Sequence, residues 1–179
     1  NIPYVFWTNA STVHSMNLLD GKETSLSLDG KAGIAAELNR KGLQALWAVS
    51  ARGSIYKANE MLEPFTGFPV LTAEKLQPKP VSFNGGIIMP LFSEPALLCT
   101  DRHGTEFVSD AMESALRTTP VVFKNIIAAL PRSFESRLYL FNQTGSIQEG
   151  FPVELDGIFA VAPVLFEDVK GGLSVALLS

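Results

Sequence analysis

The sequence predicts an all-β fold built from repeated four-stranded antiparallel sheets, and two observations carry this prediction. The first is an internal duplication: residues 138–156 (LYLFNQTGSIQEGFPVELD) have a second copy (IYKANEMLEPFTGFPVLT) that begins at Ile55. In both copies a tyrosine precedes an asparagine by three residues, and Gly-Phe-Pro-Val begins twelve residues after the start of the copy. Agreement over this length indicates a structural repeat.

The second observation is the period of that repeat. Degenerate copies begin at Val13, followed by Asn17, and at Leu97, followed by Asp101. The four starts at 13, 55, 97 and 138 are therefore separated by 41 or 42 residues. A period of this length predicts a solenoid or a propeller. We predict one domain over residues 1–179, with approximate units 1–30, 31–76, 77–117, 118–157 and an incomplete unit 158–179.

Each unit contains short apolar segments, which we name A, B, C and D in chain order. Val-, Ile- and Phe-rich segments between Gly, Asn, Asp, Ser and Pro clusters are typical of antiparallel strands joined by tight turns. C and D are the two halves of the duplicated motif. Because proline has no N–H to donate, Gly-Phe-Pro-Val places D at the outer edge of its sheet. The A segments begin at Gly33, Pro80, Pro120 and Pro163, and the B segments are LQALWAVS, IIMPLFS, NIIAALP and LSVALLS.

Two stretches also have helical features. Residues 31–48 carry Ile34, Leu38, Leu43 and Leu46 at near-helical spacing, but the repeat phase favours an A strand, a turn at 39–42 and a B strand. Residues 109–117 (SDAMESALR) have a similar pattern with a serine suited to an N-cap. They lie where a D strand is expected, so a helical insertion and a strand both stay open there.

With these motifs in place, the chain resembles the β-propeller repeats of the FG-GAP, VCBS and quinoprotein-like type. The resemblance rests on residues 139–178 and on residues 55–70, which carry the Gly-Phe-Pro-Val units. It implies a ring of four-stranded blades and, from the family's usual settings, a periplasmic, secreted or cell-surface location. If the chain begins with segments B, C and D, continues with three full units and ends with segments A and B, it contains roughly 17 strands, or about four blades. We therefore expect a partial propeller completed by further sequence, by self-association or by a partner chain.

The composition narrows the classes of partner and cofactor. The net charge is −4 with scattered Lys and Arg, which gives no basic surface for nucleic acid. No apolar run reaches the roughly 18–20 residues of a membrane span, so membrane insertion is not expected. Calcium-binding FG-GAP turns need several carboxylates in one loop, whereas the A–B turns here have at most two, with lysines among them. We predict no metal site and no cofactor.

Catalytic candidates are few, and each has a structural interpretation. Cys99 and His103 are four residues apart, but an interior strand cysteine behaves as a small apolar residue and the histidine fits a turn. His14 occupies a corresponding part of the first unit. Asn142 is part of a sequon, yet its repeat position indicates a turn asparagine. The aromatic residues at repeat positions are predicted to pack between blades rather than to form a sugar-binding surface: Trp7, Trp47, Phe68, Phe151 and the tyrosines.

The leading functional hypothesis is a non-enzymatic propeller module that binds a protein or glycan, or acts as a scaffold. In the family's geometry the B–C and D–A connections share one face, where loops present ligand-binding side chains. The alternative is part of a propeller enzyme, such as a quinone-dependent dehydrogenase or a polysaccharide lyase, with its catalytic residues outside this chain. The candidate binding residues on the predicted face are Arg52, Glu94, Glu135, Arg137, Lys75 and Lys79, with Glu74 beside them.

Overall fold

The computed structural model describes residues 3–116, 118–132, 136–159 and 161–177, and this part of the chain is entirely β-structure and connections. It contains 17 strands, in agreement with the predicted count. In chain order they are β1 (Tyr4–Asn9), β2 (Thr12–Asn17), β3 (Glu23–Ser27), β4 (Ala32–Asn39), β5 (Gly42–Ser50), β6 (Ser54–Ala58), β7 (Val70–Leu71), β8 (Val81–Phe83), β9 (Gly86–Pro90), β10 (Leu97–Thr100), β11 (Glu106–Val108), β12 (Val121–Phe123), β13 (Ile126–Ala129), β14 (Ser136–Phe141), β15 (Val153–Leu155), β16 (Val164–Glu167) and β17 (Leu173–Ala176).

The strands form five antiparallel sheets that follow one another along the chain. Sheet I is β1-β2-β3, and sheets II, III and IV each have four strands in sequence order. Sheet V is the pair β16-β17. In the four-stranded sheets the outermost strand is the D strand, β7 after Pro69 and β15 after Pro152 in the two Gly-Phe-Pro-Val motifs. This confirms the edge position predicted from proline.

Neighbouring sheets pack face to face, and each interface has its own core. One cluster joins sheets I and II through Val13, Leu46 and Ala48, and the next joins sheets II and III through Trp47 and Val49. Two further clusters join sheet III to IV and sheet IV to V. Successive residues of β5 therefore enter different cores, so its apolar residues are not confined to alternate positions.

The A strands lie side by side through the molecule. β4 contacts β8, β8 contacts β12, and β12 contacts β16. Strands ordered from an inner A position to an outer D position, in sheets that pack successively, define the blades of a β-propeller. The all-β propeller fold predicted from the repeat is thus the observed fold.

Residues 31–48 form the predicted strand, turn and strand. β4 and β5 pair from Ala32 opposite Ser50 to Asn39 opposite Gly42. Asn39 Oδ1 accepts the N–H of Lys41 at 2.7 Å, and Gly42 has a φ of 118°. The helix-like spacing arose because β5 is covered on both faces, which removes the alternation of a half-exposed strand.

The helical alternative for residues 109–117 is wrong over 109–116, and Arg117 lies outside the described residues. The D strand of sheet III is β11, and 109–116 continue as an irregular connection. Ser109 Oγ accepts the N–H of Leu97 at 3.0 Å instead of capping a helix. Met112 and Leu116, two apolar residues of this segment, are both buried in the core between sheets III and IV.

The motif asparagines and the aspartate shape the C–D turns, as the sequence predicted. At Asn59, Asp101 and Asn142, Oδ1 accepts the N–H groups of the residues two and four positions later, at 2.8–3.1 Å. Asn17 Oδ1 accepts the N–H of Leu19, two positions later, at 2.8 Å, and the N–H of Gly21 donates to the Asn17 backbone carbonyl instead. In the other three turns, the residue three positions later has a positive φ of 63–86°. Glycine suits that conformation, and Leu62 adopts it while its side chain is buried. The three turns begin at Asn59, Asp101 and Asn142.

Candidate functional site

The B–C and D–A connections meet at one end of the propeller, which we call the B–C face. The connection 72–80 contacts the B–C loop of its own sheet, since Thr72 N–H donates to Gly53 O at 3.0 Å. It also contacts the next sheet, since Phe92 N–H donates to Lys75 O at 2.8 Å. Connection 109–120 repeats this pattern through Met112 N–H and Pro95 O. Backbone hydrogen bonds between blades therefore hold this face.

Four of the predicted binding residues lie on the B–C face: Arg52, Lys75, Lys79 and Glu94. Arg52 is exposed on the loop between β5 and β6, beside Asp29 of the preceding D–A connection. A hydrogen bond with Ser50, supported by one with Ser54 and by the charge of Arg52, holds the pKa of Asp29 below its usual range. The charge of Arg52 thus acts on a carboxylate across the boundary between sheets I and II.

Arg137 lies within strand β14 rather than in a loop, and it is engaged by two carboxylates. Its guanidinium donates to Glu113 at 2.8 Å and to Glu154 at 3.0 Å. Glu113 belongs to the connection that leaves sheet III, whereas Glu154 lies on β15 of sheet IV. The arginine therefore ties two blades together. Glu135, the remaining predicted residue, lies outside the described residues.

Phe92 is the feature of this face that the sequence did not single out. It follows the buried Leu91 in the B–C loop of sheet III and is 68% exposed. Its backbone is fixed by the hydrogen bond to Lys75, and Leu91 O accepts Gln77 Nε2 at 3.1 Å. Exposed Glu94 and Lys75 belong to the same two connections. The sequence of the segment IIMPLFS could not predict which of its apolar residues is exposed, because a buried and an exposed apolar residue look alike in sequence.

The groups weighed for catalysis do not form a reactive pair. Cys99 lies in β10, is 1% exposed and belongs to the core between sheets III and IV. Burial raises the pKa of its thiol to about 12. His103 is an exposed turn residue that accepts a hydrogen bond from Arg102 Nε at 3.0 Å. Burial of Cys99 agrees with its predicted role as a small apolar residue.

The other histidine belongs to the outward face of sheet I. His14 stacks on Trp7 with ring centroids 5.0 Å apart, and its Nδ1 lies 2.8 Å from Glu23. Trp47 and Phe68 pack edge to face in the core between sheets II and III, and Phe151 packs between sheets IV and V. The predicted interblade packing is confirmed for these three aromatic residues. Trp7 instead lies on the face of sheet I that points away from sheet II.

The described residues contain neither a cluster of metal ligands nor a membrane-spanning helix. No group of three or more His, Cys, Asp or Glu side chains in that part of the chain is arranged to hold a metal ion. No helix long and apolar enough to cross a membrane occurs in the same residues.

The carboxylate in the last A–B turn accepts backbone hydrogen bonds within its own turn. Asp168 Oδ1 accepts the N–H groups of Lys170 and Gly172.

Comparison with known proteins identifies the fold class. The arrangement matches solved β-propeller structures, among them the dihydro-heme d1 dehydrogenase NirN in complex with DHE, with a TM-score of 0.67 and 10% identity over 97% of this chain and 39% of that one. BamB from Moraxella catarrhalis gives a TM-score of 0.58 with 15% identity, over 96% of this chain and 55% of that one. A nidogen/laminin complex gives 0.60 with 16% identity, over 93% and 68%.

These similarities establish the propeller fold and nothing finer, because all of the identities are low. The chain spans about two fifths of the NirN chain and just over half of BamB. No protein-family model matches the sequence. No curated protein matches it in sequence either. The neighbours include one protein named as a dehydrogenase and one solved in complex with another protein, so the fold is compatible with both classes of function.

Proposed function

We propose that this chain is a protein-binding β-propeller module whose B–C face contacts the partner through Phe92. The observation that carries the proposal is an aromatic side chain, 68% exposed, on a loop held by hydrogen bonds from the preceding blade. Aromatic residues, phenylalanine among them, are enriched at the cores of protein interfaces, and a polar rim surrounds such a core. Lys75 and Glu94 supply charges of both signs beside it, while Arg52 and Lys79 extend the polar surface.

The similar solved structures support a binding role at the level of the fold. The nidogen/laminin structure is a complex of two proteins, and its fold resembles that of this chain. The chain is also similar to the extracellular domain of the putative one-component system BT4673 from B. thetaiotaomicron, with a TM-score of 0.56 and 13% identity over 97% of this chain and 25% of that one. We accordingly propose an extracytoplasmic binding or scaffold role, with a protein as the first candidate ligand and a glycan as the second.

The test compares two aspartate substitutions at exposed apolar residues on opposite faces. Phe92→Asp removes the proposed anchor, whereas Leu19→Asp changes an equally exposed residue on the C–D connection of sheet I. Immobilised proteins are exposed to an envelope extract of the source organism, and captured proteins are quantified by mass spectrometry. We expect wild type and Leu19→Asp to capture the same protein, and Phe92→Asp to retain about a tenth of it or less.

Two results would contradict the proposal. One is equal capture by Phe92→Asp and wild type, which would remove Phe92 from the binding surface. The other is no specific protein capture by wild type together with binding to a glycan array, which would favour the glycan alternative. Thermal unfolding of both variants, expected to match wild type because the side chains are exposed, shows that any loss of capture is not a loss of folding.

A further inference from the structure

Three backbone hydrogen bonds of the same kind cross the boundaries between successive sheets on the B–C face. In each, a residue of a B–C loop donates its N–H to a carbonyl of the preceding D–A connection, at 2.6–2.9 Å: Ala51 to Lys31, Phe92 to Lys75, and Arg132 to Ala115. These six residues therefore occupy two equivalent positions at the boundaries between sheets I and II, II and III, and III and IV. We call them the boundary row.

The boundary row is positively charged. Lys31, Lys75 and Arg132 are exposed, Phe92 is exposed among them, and the other two residues are alanines. No member is acidic, although the chain has 18 Asp and Glu against 14 Lys and Arg. Within the part of the chain that the structure describes, none of the three cations has an ion pair or a side-chain hydrogen bond. Their charges are therefore available to a partner.

The carboxylates that flank the row in sequence do not neutralise it. Asp29 is hydrogen-bonded to two serines of sheet II, and the charge of Arg52 acts on it as well. Glu113 accepts a hydrogen bond from the guanidinium of the β14 arginine at 2.8 Å. Of the remaining two carboxylates, Glu94 is exposed and Glu74 is half-buried. The three exposed cations of the row therefore outnumber the carboxylates beside them that have no partner of their own.

The order of these groups fits one kind of ligand. The three boundaries follow one another, so the row runs across sheets II, III and IV. Lys31 lies at the first boundary, Phe92 and Lys75 lie at the second, and Arg132 lies at the third. A segment that crosses the row meets a cation, an aromatic side chain and another cation in succession. Carboxylates on both sides of an apolar side chain would complement this order, whereas a basic segment would meet like charges.

We propose that the boundary row binds an extended acidic polypeptide segment in which carboxylates flank an apolar side chain. This inference rests on the proposed function, because Phe92 is the apolar anchor in both. The apolar side chain of the partner packs on Phe92, and the flanking carboxylates pair with Lys31, Lys75 and Arg132. Because these cations are exposed, they contribute more to the choice of partner and to the rate of association than to raw affinity.

Three labelled probes test the charge and the chemical class of the ligand by fluorescence anisotropy with the whole chain. The peptide DEDLFDED has the proposed pattern, the peptide KRKLFKRK has the opposite charge, and an oligothymidylate carries as many negative charges as the first peptide. We expect DEDLFDED to bind at least about tenfold more tightly than either of the others. Its affinity should fall as NaCl is raised from about 50 mM to about 500 mM, because salt screens exposed charges.

Charge reversals in the protein locate the site. Arg132→Glu acts within the row, and Lys75→Glu is a second variant of the row. Arg40→Glu makes the same change in net charge at an exposed residue of the A–B turn of sheet II, at the opposite end of the molecule. Each row variant should weaken binding of DEDLFDED about tenfold or more, whereas Arg40→Glu should weaken it less than about twofold. All three side chains are exposed, so thermal unfolding of the variants should match that of wild type.

Equal weakening by Arg132→Glu and Arg40→Glu would overturn the inference, because binding would then depend on total charge alone. Equal affinity for the two peptides, or no saturable binding of DEDLFDED up to about 1 mM, would overturn it as well. Equal or tighter binding of the oligothymidylate would assign the row to phosphate groups instead.

The capture experiment separates this inference from the proposed function. Loss of capture by Phe92→Asp together with full capture by Arg132→Glu would retain protein binding and reject an acidic partner. Equal capture by Phe92→Asp and wild type would reject the proposed function itself.

Discussion

At the scale of single residues, the most regular positions of the repeat shape turns and contacts between blades. The side chains of Asn59, Asp101 and Asn142 bond to the backbone of their own turns. This explains why Asn and Asp alternate at one position: both supply the same acceptor oxygen. After Asp101 and Asn142, a glycine three residues later supplies the positive φ, and its lack of a side chain also permits close approach of the neighbouring sheet.

Gly145 and Gly150 form a matched pair for testing that close approach. Their φ values are 82° and 83°, but a Cβ at Gly145 would lie 2.9 Å from Ser109 Cα, whereas one at Gly150 would meet no atom within 4 Å. Gly150→Ala should lower the free energy of unfolding by about 1 kcal/mol through backbone strain alone. Gly145→Ala should lower it by roughly 2–4 kcal/mol. Urea denaturation followed by circular dichroism measures both, and equal losses would contradict the contact.

Asp101 makes the stability of its turn depend on pH. The N–H groups of Thr105 and His103 hold the pKa of its carboxyl below the ordinary 3.8. The ionised form therefore stabilises the folded state above pH 3.8, and this contribution is lost as the pH falls through the lower folded pKa. Asp101→Asn keeps the acceptor oxygen. Its stability relative to wild type should rise on acidification below about pH 4, and a constant difference between pH 6 and pH 3 would contradict the account.

Cys99 should be inert in the folded protein. With its pKa raised to about 12 by burial, the thiol holds almost no thiolate at pH 8. Ellman's reagent should react with it far more slowly in the native protein than in denaturant. Rapid native labelling at pH 8 would show that the thiol is accessible, and would reopen the hypothesis of a nucleophile beside His103.

At the scale of elements, the sequence was informative where turn chemistry separates the strands. Proline placed the D strands, and the Asn and Asp positions placed the C–D turns. It left a helix and a strand both open at residues 109–116, where Met112 and Leu116 are four residues apart for a reason other than helix formation. Both anchor an irregular connection in the core between sheets III and IV. Phe92 could not be distinguished from its buried neighbour Leu91, because exposure on a loop depends on the contact with the preceding blade.

Two lysines that tie neighbouring elements should contribute unequally to stability. Lys57 of β6 is 12% exposed, 3.2 Å from Glu37, and it donates to Gly85 O in sheet III at 2.9 Å. Lys124 and Glu167 form a 2.6 Å pair between exposed side chains. Lys57→Met leaves the Glu37 carboxylate without its cation and should cost about 2 kcal/mol, whereas Lys124→Met should cost under about 1 kcal/mol. Thermal and urea unfolding compare the two, and equal losses would contradict the difference in burial.

At the scale of the whole molecule, five sheets pack in chain order, and each core joins two consecutive sheets. An architecture of this kind is stabilised mainly by contacts between neighbouring units. The repeat period was sufficient to predict it, because a period of 41–42 residues accommodates one four-stranded sheet. The candidate site was less predictable. The repeat period located its loops along the sequence. The contacts that engage Arg137 and the exposure of Phe92, however, depend on how neighbouring blades pack against each other.

The central claim is that the repeat unit is a four-stranded antiparallel blade, and that residues 31–48, despite their helical pattern, form two strands of one such blade. Nuclear Overhauser contacts in the isotope-labelled protein test it most directly, above all over residues 31–48. We predict cross-strand contacts between Ile34 and Ala48, between Ala36 and Leu46, and between Val49 and Ile55, in the register of β4, β5 and β6. Consecutive amide–amide contacts along residues 31–48, with none across these strand pairs, would contradict the blade and with it the propeller.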